Sequence, residues 1–426
     1  MCRSRKSLRL SLTATLLLAA SVDILPAADS NQRQKHPAEQ SVVFQRLQLT
    51  DRYYCDGVTA ADIDQDGHVD VVAGPFWYAG PEFRSAHEFY EAVPLPPEKS
   101  PSNSMFSFVH DFSGDGRPDI LVLGRVHLHS AVWYENPGTA DQLWTPHFVF
   151  ERVRGESPLL TDLDQNGQPE LLCHWDGCWG LLRPVPEHPY QPWTFTAIGE
   201  NEDWPQFYHG EGVGDVNHDG RPDIILNDGW YEQPEQMSDD QFWPFHRHLF
   251  SADRGGAQML IDDVDQDGDA DIISALNAHG WGLAWFEQQT TDDRVSFQEH
   301  LIMSDHDREA EFGAAFTQPH ALALADIDGD GRQDIITGKR MWAHGPAGDI
   351  EPDADPVVYW FQQTRNEQGD LRYVPHLIDR QSGVGVQIAI VDVNQDQRPD
   401  VLTASKLGVF VFLNHNSSTT EVSLNR

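Results

Sequence analysis

The stretch Asp62-Ile-Asp-Gln-Asp-Gly-His-Val-Asp70 carries carboxylates at positions 1, 3, 5 and 9 and glycine at position 6, and it runs directly into the β-branched Val71-Val72. Six further copies follow at residues 111–119, 162–170, 215–223, 263–271, 326–334 and 392–400, each again trailed by an apolar run such as Asp119-Ile-Leu-Val-Leu or Asp334-Ile-Ile-Thr. Their first residues lie 49, 51, 53, 48, 63 and 66 positions apart. A unit of that length holds four short strands and their turns. Seven such units spread over residues 43–414 leave no room for a separate domain.

Oxygen side chains at alternate positions, a backbone carbonyl at position 7 and a carboxylate at position 9 wrap a hard cation that wants six to eight oxygens, and glycine at position 6 permits the sharp turn. A helix-flanked calcium hand needs a bidentate Glu at position 12, where this chain has Ala73, Val122, Cys173, Leu226, Ser274, Thr337 and Thr403. The flanks are strands instead, so each acidic turn is the tip of a β-hairpin. The expected occupants are up to seven calcium ions. Their ligands are Asp62, Asp64, Asp66 and Asp70; Asp111, Ser113, Asp115 and Asp119; Asp162, Asp164, Asn166 and Glu170; Asp215, Asn217, Asp219 and Asp223; Asp263, Asp265, Asp267 and Asp271; Asp326, Asp328, Asp330 and Asp334; and Asp392, Asn394, Asp396 and Asp400. Copies one, five and six, with four carboxylates each, should bind best. The copy at 392–400, with Gln397 in place of glycine, should bind worst.

The fold class that follows is all-β, a seven-bladed propeller of four-stranded blades. In each unit strand a precedes the acidic loop and strand b follows it. Strand c reads Trp133-Tyr-Glu, Trp230-Tyr-Glu, Trp285-Phe-Glu or Trp360-Phe-Gln, and strand d reads His147-Phe-Val, His248-Leu-Phe, His300-Leu-Ile or His376-Leu-Ile. Small residues (Gly210, Gly212, Gly214; Ala321, Ala323, Ala325) mark strand a as the one crowded on the axis, and the strand c aromatics read as packing between blades. The seventh unit stops after its strand c, while residues 44–49 precede the first strand a, so the N-terminal strand should complete the last blade.

Residues 1–28 have a basic start (Arg3, Arg5, Lys6, Arg9), an apolar stretch and small residues, the form of a secretory signal too short to span a bilayer. A linker at 29–42, the propeller at 43–414 and a tail at 415–426 complete the division. The protein is expected outside the cytosol, secreted, periplasmic or on the cell surface, without a membrane span and as a monomer. A formal net charge of -38 disfavours nucleic acid as a partner. Twenty-four of the 67 acidic residues sit at positions 1, 3, 5 and 9 of the loops, so much of the acidity is ligand. Cys173 and Cys178 flank a tight turn and read either as a hairpin disulfide or as two small buried thiols.

If strand a runs toward the acidic loops, the d–a and b–c connections gather on the opposite face. That face receives His209, Glu211, Gln258, His320 and Gln387 near the axis, and Arg125, His127, His129, Asp176, Asp228, His279, Lys339, Arg340, Trp342, His344 and Lys406 from b–c loops. Imidazoles, carboxylates and a Lys-Arg pair together can hold a transition metal or move a proton at carbon next to a carbonyl. No H-E-x-x-H, G-x-S-x-G or phosphate-cradling loop is present.

The D-x-D-x-D-G-x-x-D copies resemble the FG-GAP/VCBS repeat family, calcium-loop seven-bladed propellers found in integrin alpha-subunits and in many secreted bacterial proteins. Separately, His209-Gly-Glu-Gly, Gly338-Lys-Arg and Trp342-Ala-His-Gly look like the propeller part of fungal aldos-2-ulose dehydratases, which are metal-dependent. Those enzymes carry further cupin-type sequence that this chain lacks, so no catalytic role is carried over.

Two functions follow. One is a calcium-rigidified propeller that recognises an extracellular ligand, carbohydrate in the first place, with Trp342, Trp175 and Trp77 as stacking platforms and His127, Asp228, His279 and His344 around them. The other is a metal-dependent carbohydrate lyase or dehydratase, with His209 or His320 as base, Glu211 and His279 as metal ligands or acid partner, and Lys339 and Arg340 on substrate. A protein–protein adhesion module is a third.

Overall fold

In this computed structural model the acidic hairpins are the first turns of seven four-stranded antiparallel sheets. It describes residues 42–99, 101–124, 130–140, 142–238, 240–252, 255–291 and 294–416. The signal segment, most of the linker, nearly all of the tail and Arg125, His127 and His129 lie outside them. Blade I holds Thr59–Ala61, Asp70–Ala73, Phe76–Tyr78 and Ala86–Glu88, and the strands of blades II to VI follow in chain order. Blade VII runs Ile388–Val391, Asp400–Ser405, Gly408–Asn416 and then Val42–Thr50. The N-terminal strand therefore closes the ring, with Val42 opposite Asn416 and Leu47 opposite Val411.

The inner strands meet at the axis with little space between them. A Cβ on Gly212 would lie 2.0 Å from the Met259 carbonyl oxygen, so only glycine lets these two backbones approach. Gln258 braces the axis: its side chain accepts from the Leu322 amide (2.9 Å) and donates to the Val386 carbonyl (2.9 Å). Gln387 exchanges two hydrogen bonds with the backbone of Ser107 in the same way. These two axial glutamines are thus structural.

Bulk lies farther out, between blades. Trp77 and Ile120 share one cluster, Trp133 and Leu171 another, Trp360 and Phe410 a third. At roughly 25 cal/mol per Å² and 150–250 Å² per ring, each buried Trp contributes about 4–6 kcal/mol as an upper estimate. The strand c Trp also stacks on a strand d His: Trp133 on His147 (4.2 Å), Trp230 on His246 (4.1 Å), Trp285 on His300 (4.4 Å) and Trp360 on His376 (4.5 Å). In three blades the Glu two residues after that Trp holds the imidazole: Glu135 to His147 at 2.8 Å, Glu232 to His246 at 2.8 Å and Glu287 to His300 at 2.7 Å. Blade IV corrects the sequence reading, because the register pairs Trp230 with His246 and leaves His248 beyond the strand. The residue after that Glu or Gln is an amide that reaches the preceding blade: Asn136 to the Ile63 carbonyl, Gln233 to Leu163 and Gln363 to Val264; in blade VII Asn414, after Leu413, reaches Ile327 in the same way.

Candidate metal centre on the axis

Counting back six residues from the first aspartate of each acidic loop gives Asp56, Met105, Glu156, His209, Ala257, His320 and Val386. These occupy one level at the start of the inner strands, at the end of the axis away from the loops. Three of them converge. His209 Nε2 lies 3.3 Å from His320 Nε2 and 3.2 Å from Glu156 Oε2, and His320 Nε2 lies 3.2 Å from the same carboxylate oxygen. From the b–c loop of blade V, His279 brings its Nε2 to 3.0 Å from His209 Nε2. The four donors come from blades III, IV, V and VI and all lie within 4.8 Å of one another.

These spacings fit a metal ion. With metal–nitrogen bonds of about 2.0–2.1 Å, ligand atoms stand about 3.3 Å apart in a tetrahedron and about 2.9 Å apart as neighbours in an octahedron. Arg340 Nη1, which can only donate, lies 2.8 Å from His320 Nε2, so that atom is unprotonated and its lone pair is turned to the guanidinium when no metal takes it. Burial and the Arg340 charge push the His320 pKa down to about 3. Burial first, then the neighbouring imidazoles, also lowers that of His279. Both rings are therefore neutral, the form in which imidazole binds metal. A set of three imidazoles and one carboxylate suits zinc, iron or manganese better than calcium.

Above the cluster opens a cavity of about 570 Å³ lined by Glu156, His209, His279 and Arg340, with Lys406, His344 and the half-exposed Phe207 among its walls. His344 Nδ1 is 3.0 Å from Asp349 Oδ1, and Asp349 also accepts from the His344 amide. The Asp349 side chain is 1 % exposed and that of His344 59 %, so a buried carboxylate fixes an open imidazole whose ring centre is 4.6 Å from that of His279. Asp56 lies behind Arg340. Burial works to raise its pKa, but Arg340 and Lys406 hold it below the ordinary value, and it accepts from Tyr53 Oη (2.7 Å) and the Ser102 amide (2.9 Å).

Of the residues singled out in the sequence, His209, His279, His320 and Arg340 meet here and His344 stands over them. Lys339 points the other way along its strand, its amine on Thr317 Oγ1. Glu211 is wholly buried facing a second cavity of about 240 Å³, and burial raises its pKa well above the carboxylate range. Asp228 accepts from Tyr208 Oη, and the Trp342 indole donates to the Pro352 carbonyl. Trp77 stacks on His87, and Trp175 packs on Phe150 and Phe195. The platforms expected from these three Trp are thus engaged within the fold. Glu156 and Asp56 escaped the sequence reading, although the six-residue offset that holds His209 and His320 also holds both.

On the opposite face the loops share one geometry. The residue at position 6 has positive φ in all seven, including Gln397 at 68°, and so does position 4, where Gln65, Gln165, His218, Gln266 and Gln395 stand. Position 9 is buried and its two oxygens divide their work. Asp334 Oδ2 accepts from the Ile327 amide (3.0 Å) and Oδ1 from the Gln363 amide (2.9 Å), stapling loop to strand c, and Asp70, Asp119, Asp223, Asp271 and Asp400 repeat this. Carboxylates draw together within 4.8 Å in the loops starting at Asp62, Asp162, Asp263 and Asp326. In the loops at 111, 215 and 326 an arginine at position 7 pairs with the position 5 aspartate. Cys55, Cys173 and Cys178 are free thiols.

The FG-GAP-like repeat profile matches residues 111–173 and 263–337, two spans that each begin at an acidic loop and end in the strand b behind it. This is an FG-GAP-repeat propeller. Among solved structures, the FG-GAP propeller is similar to an Agrocybe aegerita lectin that recognises non-reducing terminal N-acetylglucosamine (14 % identity, 88 % of this chain and 86 % of that one, TM-score 0.44). It is also similar to an exotype rhamnogalacturonan lyase (13 %, 87 % and 75 %, 0.43) and to the V. cholerae biofilm matrix protein Bap1 (11 %, 85 % and 77 %, 0.36). At these scores the likenesses carry no functional weight. No curated protein matches the chain, and the dehydratase resemblance is not confirmed.

Proposed function

We propose that this FG-GAP propeller is a metal-dependent enzyme of the lyase or dehydratase type acting on a carbohydrate at the axial site. The observation that carries the reading is the convergence of His209, His279 and His320 Nε2 with Glu156 Oε2 at the spacings of a coordination polyhedron. When bound, a divalent ion there supplies a Lewis acid for a carbonyl or carboxylate oxygen. His209 and His320 then act as ligands, which leaves His344 to move the proton. Its Nδ1 is held by Asp349, so Nε2 is the atom that takes a proton from carbon next to the carbonyl. The electron pair forms a carbon–carbon double bond as the β carbon–oxygen bond breaks, and the proton on His344 returns to the leaving hydroxyl, which departs as water. Phe207, half exposed, is an aromatic wall of the same cavity.

On the same reading the acidic loops hold calcium as structural ions outside the cytosol, and the buried, unpaired Asp62 Oδ1 suits such a ligand. The test is metal analysis of protein purified without added transition metal and exchanged by gel filtration into metal-free buffer containing no chelator. About one equivalent of zinc, manganese or iron is expected, and none in a His209→Ala/His320→Ala variant that keeps the wild-type circular dichroism. Wild-type protein that takes up no transition ion at micromolar concentration overturns the proposal. In a screen of sugars for elimination products, His344→Ala should keep its metal and lose turnover.

A further inference from the structure

Arg340 and Lys406 occupy equivalent places in successive blades, each six residues after the position 9 aspartate of its loop. Both are buried, at 3 % and 4 % exposure, and both line the cavity beside the metal cluster. Desolvated cations are costly unless paired, yet these two share one buried carboxylate, Asp56. The Arg340 Nε has no hydrogen-bond partner, while its Nη1 turns toward His320 and, at 3.6 Å, Glu156. Lys406 donates to the Pro97 carbonyl (2.8 Å) and lies over the Tyr53 ring. Of the other carboxylates nearby, Glu156 belongs to the metal cluster and Asp349 to His344. Glu98 and Lys99 at the rim offset each other. Once a divalent ion is in place, the cavity floor therefore carries an excess of positive charge, within a protein of net charge -38.

We propose that the axial cavity selects an anionic sugar, one bearing a carboxylate or a phosphate, whose charged group lies against Arg340 and Lys406 beside the metal cluster. The proposal rests on the axial site being the substrate site and names the class of substrate. A guanidinium presents several donors in one plane and suits either anion, and the ammonium adds a point charge. A neutral sugar brings no charge to the pair of cations that share Asp56, so the discrimination is electrostatic and falls with salt. The acidic exterior makes this a question of local pairing, because the long-range field of the protein repels the same ligand.

Isothermal titration of full-length protein with D-glucuronate, glucose 6-phosphate and D-glucose, with metal content measured on each sample, tests this. At least one of the two anions should bind ten-fold or more tighter than glucose, and which of them does so assigns the carboxylate or the phosphate. Lys406→Gln should lose about ten-fold of that affinity while keeping the wild-type metal content and circular dichroism spectrum, with some fall in melting temperature because Asp56 loses one of its two buried cations. Equal binding of glucose and both anions, absence of binding by all three, or an unchanged affinity in Lys406→Gln overturns the inference. If the protein holds no transition metal yet still prefers an anion through Lys406, the metal reading falls and the anion site stands.

Discussion

Replacing Asp334 separates two roles that the acidic loop gives its ninth residue. The side chain is fully buried and accepts from two backbone amides, Ile327 N at 3.0 Å and Gln363 N at 2.9 Å. Asp334→Ala strands both donors where neither water nor another acceptor reaches them. At about 1–3 kcal/mol for each buried unsatisfied group, the loss is about 2–6 kcal/mol. Asp334→Asn keeps one acceptor and turns an NH₂ toward the other amide, so it loses about half as much. At roughly 2 °C per kcal/mol for a chain of this size, the alanine variant should melt about 4–12 °C below wild type. The decisive assay is the same melt in EGTA. A staple made of backbone hydrogen bonds survives removal of the ion, so the gap between wild type and variant should persist. Coincident melts in EGTA, with a gap only in calcium, refute the staple and leave position 9 as an ion ligand alone.

Deleting residues 42–50 removes the outer strand of blade VII and exposes the clusters into which Val42, Phe44, Leu47 and Leu49 pack; the product should not fold cooperatively, as read by its denaturation curve. Calcium at ten times its Kd should add about 1.4 kcal/mol per loop, so the four loops with converging carboxylates together contribute about 6 kcal/mol, visible as a fall in melting temperature of roughly 11 °C in EGTA. Burial depresses the His174 pKa from 6.5 to about 4. The unfolded chain therefore takes up the proton first, and stability should decline by up to about 3 kcal/mol as pH falls from 6.5 to 4 and not above that window. Denaturant titrations of wild type and His174→Gln at pH 7 and pH 4.5 read the difference, which the variant should lack.

What was legible in the sequence is what repeats. Seven copies of one loop, with a Trp and then a His recurring after four of them, determine blade number, strand order and the closing strand, since each copy must solve the same packing problem. The left-handed backbone at position 4 was not legible, because Gln65 and His218 adopt it without the glycine that would announce it. His248 was mistaken for His246 because two histidines stand two residues apart in Phe245-His-Arg-His, and only the pairing register decides between them. The axial site shows the same limit from the other side. Its ligands do not repeat: His209 and His320 draw notice as histidines, while Glu156 in Arg154-Gly-Glu-Ser looks like one more acid in an acidic chain. Its role emerges only when inner strands from different blades are set at one level around the axis.

The pairing of Val42 with Asn416 has a consequence for how the polypeptide is made. Of the strands in the ring, the one synthesised first lies beside the one synthesised last, across about 370 intervening residues. Until Gly408–Asn416 has been made, the clasp has nothing to grip. Loop-closure entropy grows only slowly with such a span, so the delay is set by the ribosome more than by thermodynamics. Because the two ends of the folded ring lie side by side, joining them and cutting at any exposed blade-to-blade turn should yield a circular permutant with the same finished shape and a different order of assembly.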